Sequence, residues 1–174
     1  VCEEGARLLG AEIVEEVHNH HNFAWRETHG GTEYIVVRKG ATPAFPGQRG
    51  FIGGSMGENA VIVEGVEHPD HTAGLYSTIH GAGRVMSRTA AKGKWHRKTG
   101  KLISPGLISE GDMRGWLDRV GVELRGAGVD EAPQAYKRLP EVLAHHEGTI
   151  RVLHTLTPLG VAMAGAREHD PYKE

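Results

Sequence analysis

One stretch of the chain combines the residue types needed to handle a phosphate: Tyr76-Ser77-Thr78-Ile79-His80-Gly81-Ala82-Gly83-Arg84-Val85-Met86-Ser87-Arg88. Leu75 to Ile79 reads as a short strand that delivers a histidine into a turn almost bare of side chains. Glycines let a backbone approach a ligand closely and take up positive φ. Successive backbone N–H groups in such a turn make an anion-binding nest. Arg84 adds a planar fork matched to phosphate, with Arg88 one turn further on. His80 in that setting can serve as base, ligand or nucleophile. The same residues also describe a tight turn whose histidine is merely half exposed.

Three further segments carry residues of the same kinds. In His18-Asn19-His20-His21-Asn22 the ligand-type groups crowd together. On a strand, His18 and His20 would share one face and His21 the other. A metal site and a polar surface loop both fit that pattern. Arg38-Lys39, followed by Gly40-Ala41-Thr42-Pro43-Ala44, reads as a phosphate-facing corner or a solvated strand end. Gly50-Phe51-Ile52-Gly53-Gly54-Ser55-Met56-Gly57 is a second glycine-rich loop. It lacks the Gly-Lys-Ser/Thr ending and following helix of a P-loop, yet its backbone can line a nucleotide; a plain turn is the alternative. Glu67-His68-Pro69-Asp70-His71 is a polar loop with two potential ligands. From Thr89 to Gly100 the chain is basic (Lys92, Lys94, His96, Arg97, Lys98) with Trp95 interleaved. That mixture suits single-stranded nucleic acid, or an exposed cationic segment.

The elements that must position these groups are legible from composition and periodicity. The chain has 174 residues, 25 of them glycine, with 6% aromatics, which favours strands and elaborate loops over helical bundles. Its formal net charge is −2, so a nucleic-acid footprint must be a local patch. The single cysteine, Cys2, excludes an internal disulfide and fits a reducing compartment; with no apolar run long enough for a membrane span, the expected location is the cytoplasm. Residues 1–17 read as helix then strand, without an initiator Met. Gly30-Gly31 marks a hairpin turn before a buried strand, Tyr34-Ile35-Val36-Val37. Ala60 to Val63 is a strand, Met113 to Val120 a helix and Glu123 to Ala127 a strand. A helix is expected to open at Glu131, with Pro133 near its first turn, and run towards His145. Ile150 to Leu156 and Leu159 to Met163 read as closing strands separated by Thr157-Pro158. No linker divides residues 1–174, so a single domain is expected.

The order of these motifs is more specific than any one of them. His20-His21-Asn22-Phe23, Arg38-Lys39-Gly40-Ala41-Thr42-Pro43-Ala44, Gly54-Ser55-Met56-Gly57, the His80 stretch, and Asp130-Glu131-Ala132-Pro133-Gln134-Ala135-Tyr136-Lys137 follow one another from about His18 to Met163. This succession resembles the RtcB family of RNA-splicing ligases. The resemblance implies an α+β mixed fold, strand-rich with long glycine-rich loops and a few helices. It implies joining of RNA 3′-phosphate or 2′,3′-cyclic phosphate ends to 5′-hydroxyl ends, with GTP and Mn²⁺, through a guanylylated His80. It also implies a Mn²⁺ ligand at His21, and nucleotide contacts from His21, Asn22, Gly53, Gly54, Ser55, Met56, His80, Gly81, Ala82 and Gly83. Arg84, Arg38 and Lys39 are the expected phosphate or RNA contacts.

The chain departs from the family pattern in three places. The family is longer, with an Asp-x-Cys-Gly-Gly element and further histidines upstream, so this chain is expected to be an incomplete C-terminal catalytic portion that needs an upstream segment or accessory protein. A family lysine near the end falls around Ala164, with Lys173 as the candidate replacement. Gly53 and Ala60 stand where the family has a proline and a polar residue. A non-catalytic guanine-nucleotide or RNA-binding relative, and another metal-dependent phosphoryl-transfer enzyme, are the alternatives.

Overall fold

The computed structural model describes residues 2–96 and 98–165, which form a mixed α+β fold of five α-helices and eleven short strands. Arg97 of the basic segment and Lys173 lie outside the described residues. No helix among the described residues is long and apolar enough to cross a membrane.

Helix α1 (Cys2–Leu9) buries no residue and stops at Gly10, whose φ is +62°. The strand expected after it, with His18 and His20 on one face, does not form. No backbone ladder is available to that segment. Instead the Asn19 amide donates to the Phe51 carbonyl at 3.2 Å and accepts from its N–H at 3.2 Å, fastening an irregular strap.

Strands β1 (Asn22–His29) and β2 (Thr32–Lys39) make the expected hairpin, with Asn22 opposite Lys39. Gly30 and Gly31 both have positive φ, as the twist-matched two-residue turn requires. The buried run expected at Tyr34–Val37 is not buried: Tyr34, Ile35 and Val37 are exposed and Val36 is covered. A two-stranded ribbon covered on one face hides alternate residues only.

The hairpin docks through a buried charge. Arg38 donates to both Glu27 carboxylate oxygens, at 2.6 and 3.0 Å, to Ser77 Oγ at 2.9 Å and to the Leu75 carbonyl at 2.7 Å. Its guanidinium also lies over the Trp25 ring. Arg38 therefore faces the interior, and the phosphate-facing corner expected at Arg38-Lys39 reduces to Lys39 alone.

Strand β3 (Ala41–Pro43) pairs with β6 (Ser77–Ile79), the strand that leads to His80. Strands β4 (Arg49–Ile52) and β5 (Ala60–Gly65) join β10 (Ile150–Leu156) in an antiparallel sheet ordered β10-β5-β4. Ile52, Val61, Val63 and Ile150 from this sheet pack with Ala44, Ala82 and Leu139 in one core cluster. Gly65 is buried, and an added Cβ would overlap the carbonyl oxygens of Ala44 and Phe45. Gly65→Ala is therefore expected to destabilise the protein by about 2 kcal/mol through overpacking. Gly111→Ala, inside a helix and with room for the methyl, should be neutral or stabilising. Urea unfolding of both variants checks this; equal midpoints would contradict the close approach.

Helix α2 (Asp70–Ala73) precedes β6. Helix α3 (Arg88–Lys92) starts at Ser87, whose hydroxyl accepts from Ala90 N–H. Strands β7 (Lys94–Trp95) and β8 (Leu102–Ser104) form a small hairpin. Helix α4 (Glu110–Val120) has a Ser109/Asp112 capping box and a left-handed Gly121 at its end, both local signals. Its Met113 and Leu117 fill the second core cluster with Met56, Ala91, Ile108, Val122, Ala132 and Ala135.

Strand β9 (Glu123–Ala127) pairs in parallel with β11 (Gly160–Gly165), so the two closing strands enter different sheets. The long helix expected from Glu131 to His145 is replaced by two 3₁₀ turns, Val129–Glu131 and Pro133–Ala135, and a short helix α5 (Leu139–Ala144). Tyr136 between them is extended and bridges to Arg84, while Pro133 and Pro140 each remove a helix N–H.

Candidate functional site

Three sequence-distant segments meet at His80. Pairing of Ala41 with Ile79 brings the end of β2 alongside the end of β6. The Gly40 N–H donates to the His21 carbonyl at 2.9 Å, holding the start of β1 at the same corner. The His21 and His80 rings consequently stand edge to face with centroids 4.7 Å apart. Gly40 lies so close to His80 that a Cβ there would sit 4.0 Å from Nε2. The glycine loop then locks onto the histidine turn: Gly53 N–H donates to the His80 carbonyl at 3.2 Å, and Ala82 N–H to the Gly53 carbonyl at 3.0 Å. Gly81 approaches the Gly53 carbonyl to within 3.2 Å of where a Cβ would lie.

His80 is half-buried. Burial, and secondarily the neighbouring His21, hold its pKa below the ordinary histidine value, so the neutral imidazole with a free ring lone pair predominates at pH 7. Behind it, His146 also titrates low, because of burial first and His145 second; its Nδ1 lies 3.5 Å from Thr78 Oγ1 on β6. A histidine whose folded pKa lies below its unfolded value keeps its full stability above about pH 6.5 and loses it as pH falls, because the unfolded chain takes up the proton first. Stability should therefore decline between about pH 7 and 5, and His146→Gln should flatten part of that decline in denaturation measured across the range.

The glycine loop forms one wall of a cavity of about 440 Å³. Gly53, Gly54, Ser55 and Met56 line it, facing Phe51, Tyr136 and the segment from Leu156 to Met163. Its size suits a small-molecule ligand, and two aromatic rings offer stacking surfaces for a base. Ser55 Oγ is buried and has no hydrogen-bond partner among the described residues, which fits a group that a ligand completes. His80 is not in the lining; the Gly53–Gly81 contact is what joins it to the cavity wall. Phe51 belongs to the second glycine-rich loop and Met163 ends a predicted closing strand, neither with an expected site role, and Glu58 was not marked by any sequence motif. Tyr136 lay inside one, without an assigned role.

Arg84 donates to Tyr136 Oη at 3.0 Å, stacks over that ring, and lies 3.7 Å from Glu131. Arg88 pairs with Asp130 and Glu131. Glu131 also accepts from Tyr136 Oη, so the arginines brace the cavity wall. Lys39 and Asn22 are exposed opposite each other at the open end of the first hairpin, next to His21. His18 stands edge to face with His20, whose ring lies beside Phe23. No three His, Cys, Asp or Glu side chains converge on one point among the described residues, so they do not by themselves make a Mn²⁺ site.

Comparison with known proteins places this geometry. The family model described as "tRNA-splicing ligase RtcB" matches residues 2–164. The RNA-splicing ligase RtcB of Escherichia coli (strain K12) is 40% identical over 158 residues, covering 90% of this chain and 34% of that protein. The tRNA-splicing ligase RtcB of Aeropyrum pernix is 35% identical over 170 residues, 88% of this chain and 33% of the relative. That of Pyrococcus furiosus is 35% identical over 177 residues, 88% of this chain and 17% of the relative. The chain thus spans about a third or less of the length of these relatives. A match that runs through every segment meeting at His80 assigns the whole assembly at once: the chain belongs to the RtcB family.

Proposed function

We propose that this chain carries the nucleotidyl-transfer part of an RNA ligase that uses GTP, with His80 as the covalent nucleophile. The observation that carries this reading is a histidine kept neutral on a turn whose backbone is bonded to the wall of a nucleotide-sized cavity. The His80 lone pair attacks the α-phosphorus of GTP; the bond to the bridging oxygen breaks and pyrophosphate leaves. The ring then sheds its remaining N–H proton to solvent, giving an anionic phosphoramidate whose imidazole ring is neutral. An oxygen of the RNA 3′-phosphate next attacks the same phosphorus while the free ring nitrogen takes up a proton from solvent, so that His80 departs as neutral imidazole and the RNA end is activated with GMP. A 5′-hydroxyl oxygen finally attacks the RNA phosphorus, gives up its proton to solvent and expels GMP. A 2′,3′-cyclic end enters after water opens it to the 3′-phosphate. Backbone N–H groups of the glycine turns are suited to oppose the charge that develops on the phosphoryl oxygens, and Lys39 and Asn22 stand ready at the corner. The expected Mn²⁺ needs donors beyond those that the described residues bring together, so no step is assigned to it. An upstream segment or accessory protein is the proposed source of those donors.

Incubation with Mn²⁺ and GTP labelled at the α-phosphate, followed by a denaturing gel, tests the reading. Label should stay on the protein, be absent when GTP is labelled at the γ-phosphate, and appear in step with released pyrophosphate. No adduct, even with an upstream ligase segment added in trans, would sink it. A second reading, a guanine-nucleotide or RNA-binding relative without turnover, is favoured by Ala164 in place of a lysine and by the lack of a three-ligand cluster among the described residues. It predicts saturable GTP binding with no label.

A further inference from the structure

Charge along the chain is strongly segregated. Residues 71–109 hold seven of the 20 Lys and Arg and none of the 22 Asp and Glu, leaving 13 cations against 22 acids elsewhere. Three of those seven are already engaged: Arg84 with Glu131, Arg88 with Asp130 and Glu131, and Lys92 with Asp130 at 3.7 Å. Those pairs tie α3 to the cavity wall. Past Lys92 the chain forms the β7–β8 hairpin, where Lys94, Lys98 and Lys101 are exposed and have no carboxylate partner among the described residues. Trp95 is 57% exposed and sits opposite Leu102, itself 50% exposed.

The arm is anchored at its base. Leu107 N–H donates to the Ala90 carbonyl at 2.9 Å and Ile108 N–H to the Ala91 carbonyl at 3.1 Å. Gly93, at φ +84°, passes so close to Ser104 that a Cβ would lie 2.6 Å from its carbonyl oxygen. Across the arm, His96 N–H donates to the Lys101 carbonyl at 2.7 Å. A rigidly based hairpin that exposes an indole among unneutralised lysines is matched to a flexible polyanion with flat, stackable groups. An acidic protein surface would use the lysines but not the indole's face; a single RNA strand uses both.

We infer that the β7–β8 hairpin is a docking arm for a single RNA strand, with Lys94, Lys98 and Lys101 on its phosphates and Trp95 stacked on an unpaired base. The choice of RNA rests on the proposed ligase reading; the arm follows directly on α3, whose Arg88 pairs with Glu131 in the cavity wall.

The test measures fluorescence anisotropy of a labelled single-stranded RNA of about 12 nucleotides with a 3′-phosphate, titrated with the full chain at several salt concentrations. Lys94→Ala/Lys98→Ala/Lys101→Ala should lower the slope of log affinity against log salt by about 2. Trp95→Ala should weaken binding about 10-fold, and Trp95→Phe should restore most of it. Labelling of His80 by GTP should be the same in all of these variants. An unchanged salt slope, unchanged binding by Trp95→Ala, or no RNA binding by the unaltered chain overturns the inference. So does tighter arm-dependent binding to anionic phosphatidylserine vesicles than to RNA. Arm-dependent RNA binding without any His80 adduct would overturn the ligase reading and leave the arm standing.

Discussion

Replacing His80 with alanine is expected to reduce GTP-dependent labelling of the protein to background, a larger effect than any other single change. In the proposed reaction the imidazole nitrogen is the atom that bonds to phosphorus, so the variant has no substitute for it. The fold should survive. His80 contributes to the structure through its backbone carbonyl, which accepts from Gly53 N–H, and alanine retains that carbonyl. Circular dichroism and denaturation midpoints should therefore be close to those of the unaltered chain. His80→Gln, similar in size and polarity but not nucleophilic, should be equally blank. Label retained in either variant would mean that another residue carries the GMP. Label lost together with folding would be uninformative about chemistry, and for that reason the midpoint is measured alongside.

The second large effect concerns Arg38. It is 2% exposed, and its guanidinium satisfies Glu27, Ser77 and Leu75 together. Removing one member of a buried, hydrogen-bonded pair leaves the other charge stranded, which costs about 3–5 kcal/mol. Arg38→Ala should therefore lower the urea midpoint severely and, by releasing the hairpin that carries His21, Asn22 and Lys39, also weaken GTP labelling. Arg26→Ala breaks only an exposed pair with Glu33 and should cost less than about 1 kcal/mol. Equal effects from the two would contradict the buried role of Arg38. The pair also has a pH signature. Arg38 first, and then His29, hold the Glu27 carboxyl below its usual range against the opposing effect of burial. A depressed carboxyl contributes stability above its unfolded value, and that contribution is lost as pH falls through the folded one. Acid unfolding of the unaltered chain should thus be steeper below about pH 4.5 than that of Arg38→Ala.

Much of the fold was legible where the signal is local. Gly30-Gly31 marked a hairpin because two consecutive positive-φ positions are needed to match strand twist. The helix over Met113–Val120 was visible, although its true start at Glu110 depends on the Ser109/Asp112 box. Ala60–Val63 and Ile150–Leu156 were readable as strands from their apolar runs. The proline-bearing segment after Glu131 was misread because a proline near a helix start and a proline that interrupts one look alike until Tyr136 is seen bonded across to Arg84.

By itself, the sequence determined the family, the two glycine turns and the histidine they surround, because each rests on residue identity and on short spacing. Tertiary structure alone decided three other things. Arg38 turned inward because Glu27 and β6 offered it partners that solvent could not match. Thr157-Pro158 separates strands that enter different sheets, since each closing strand found its partner almost 40 or 90 residues away. His21 came to rest 4.7 Å from His80 through pairings that no local pattern encodes. Turn geometry and periodicity are set within a few residues, whereas burial of a charge, choice of strand partner and assembly of a site are set by contacts between segments that only folding brings together.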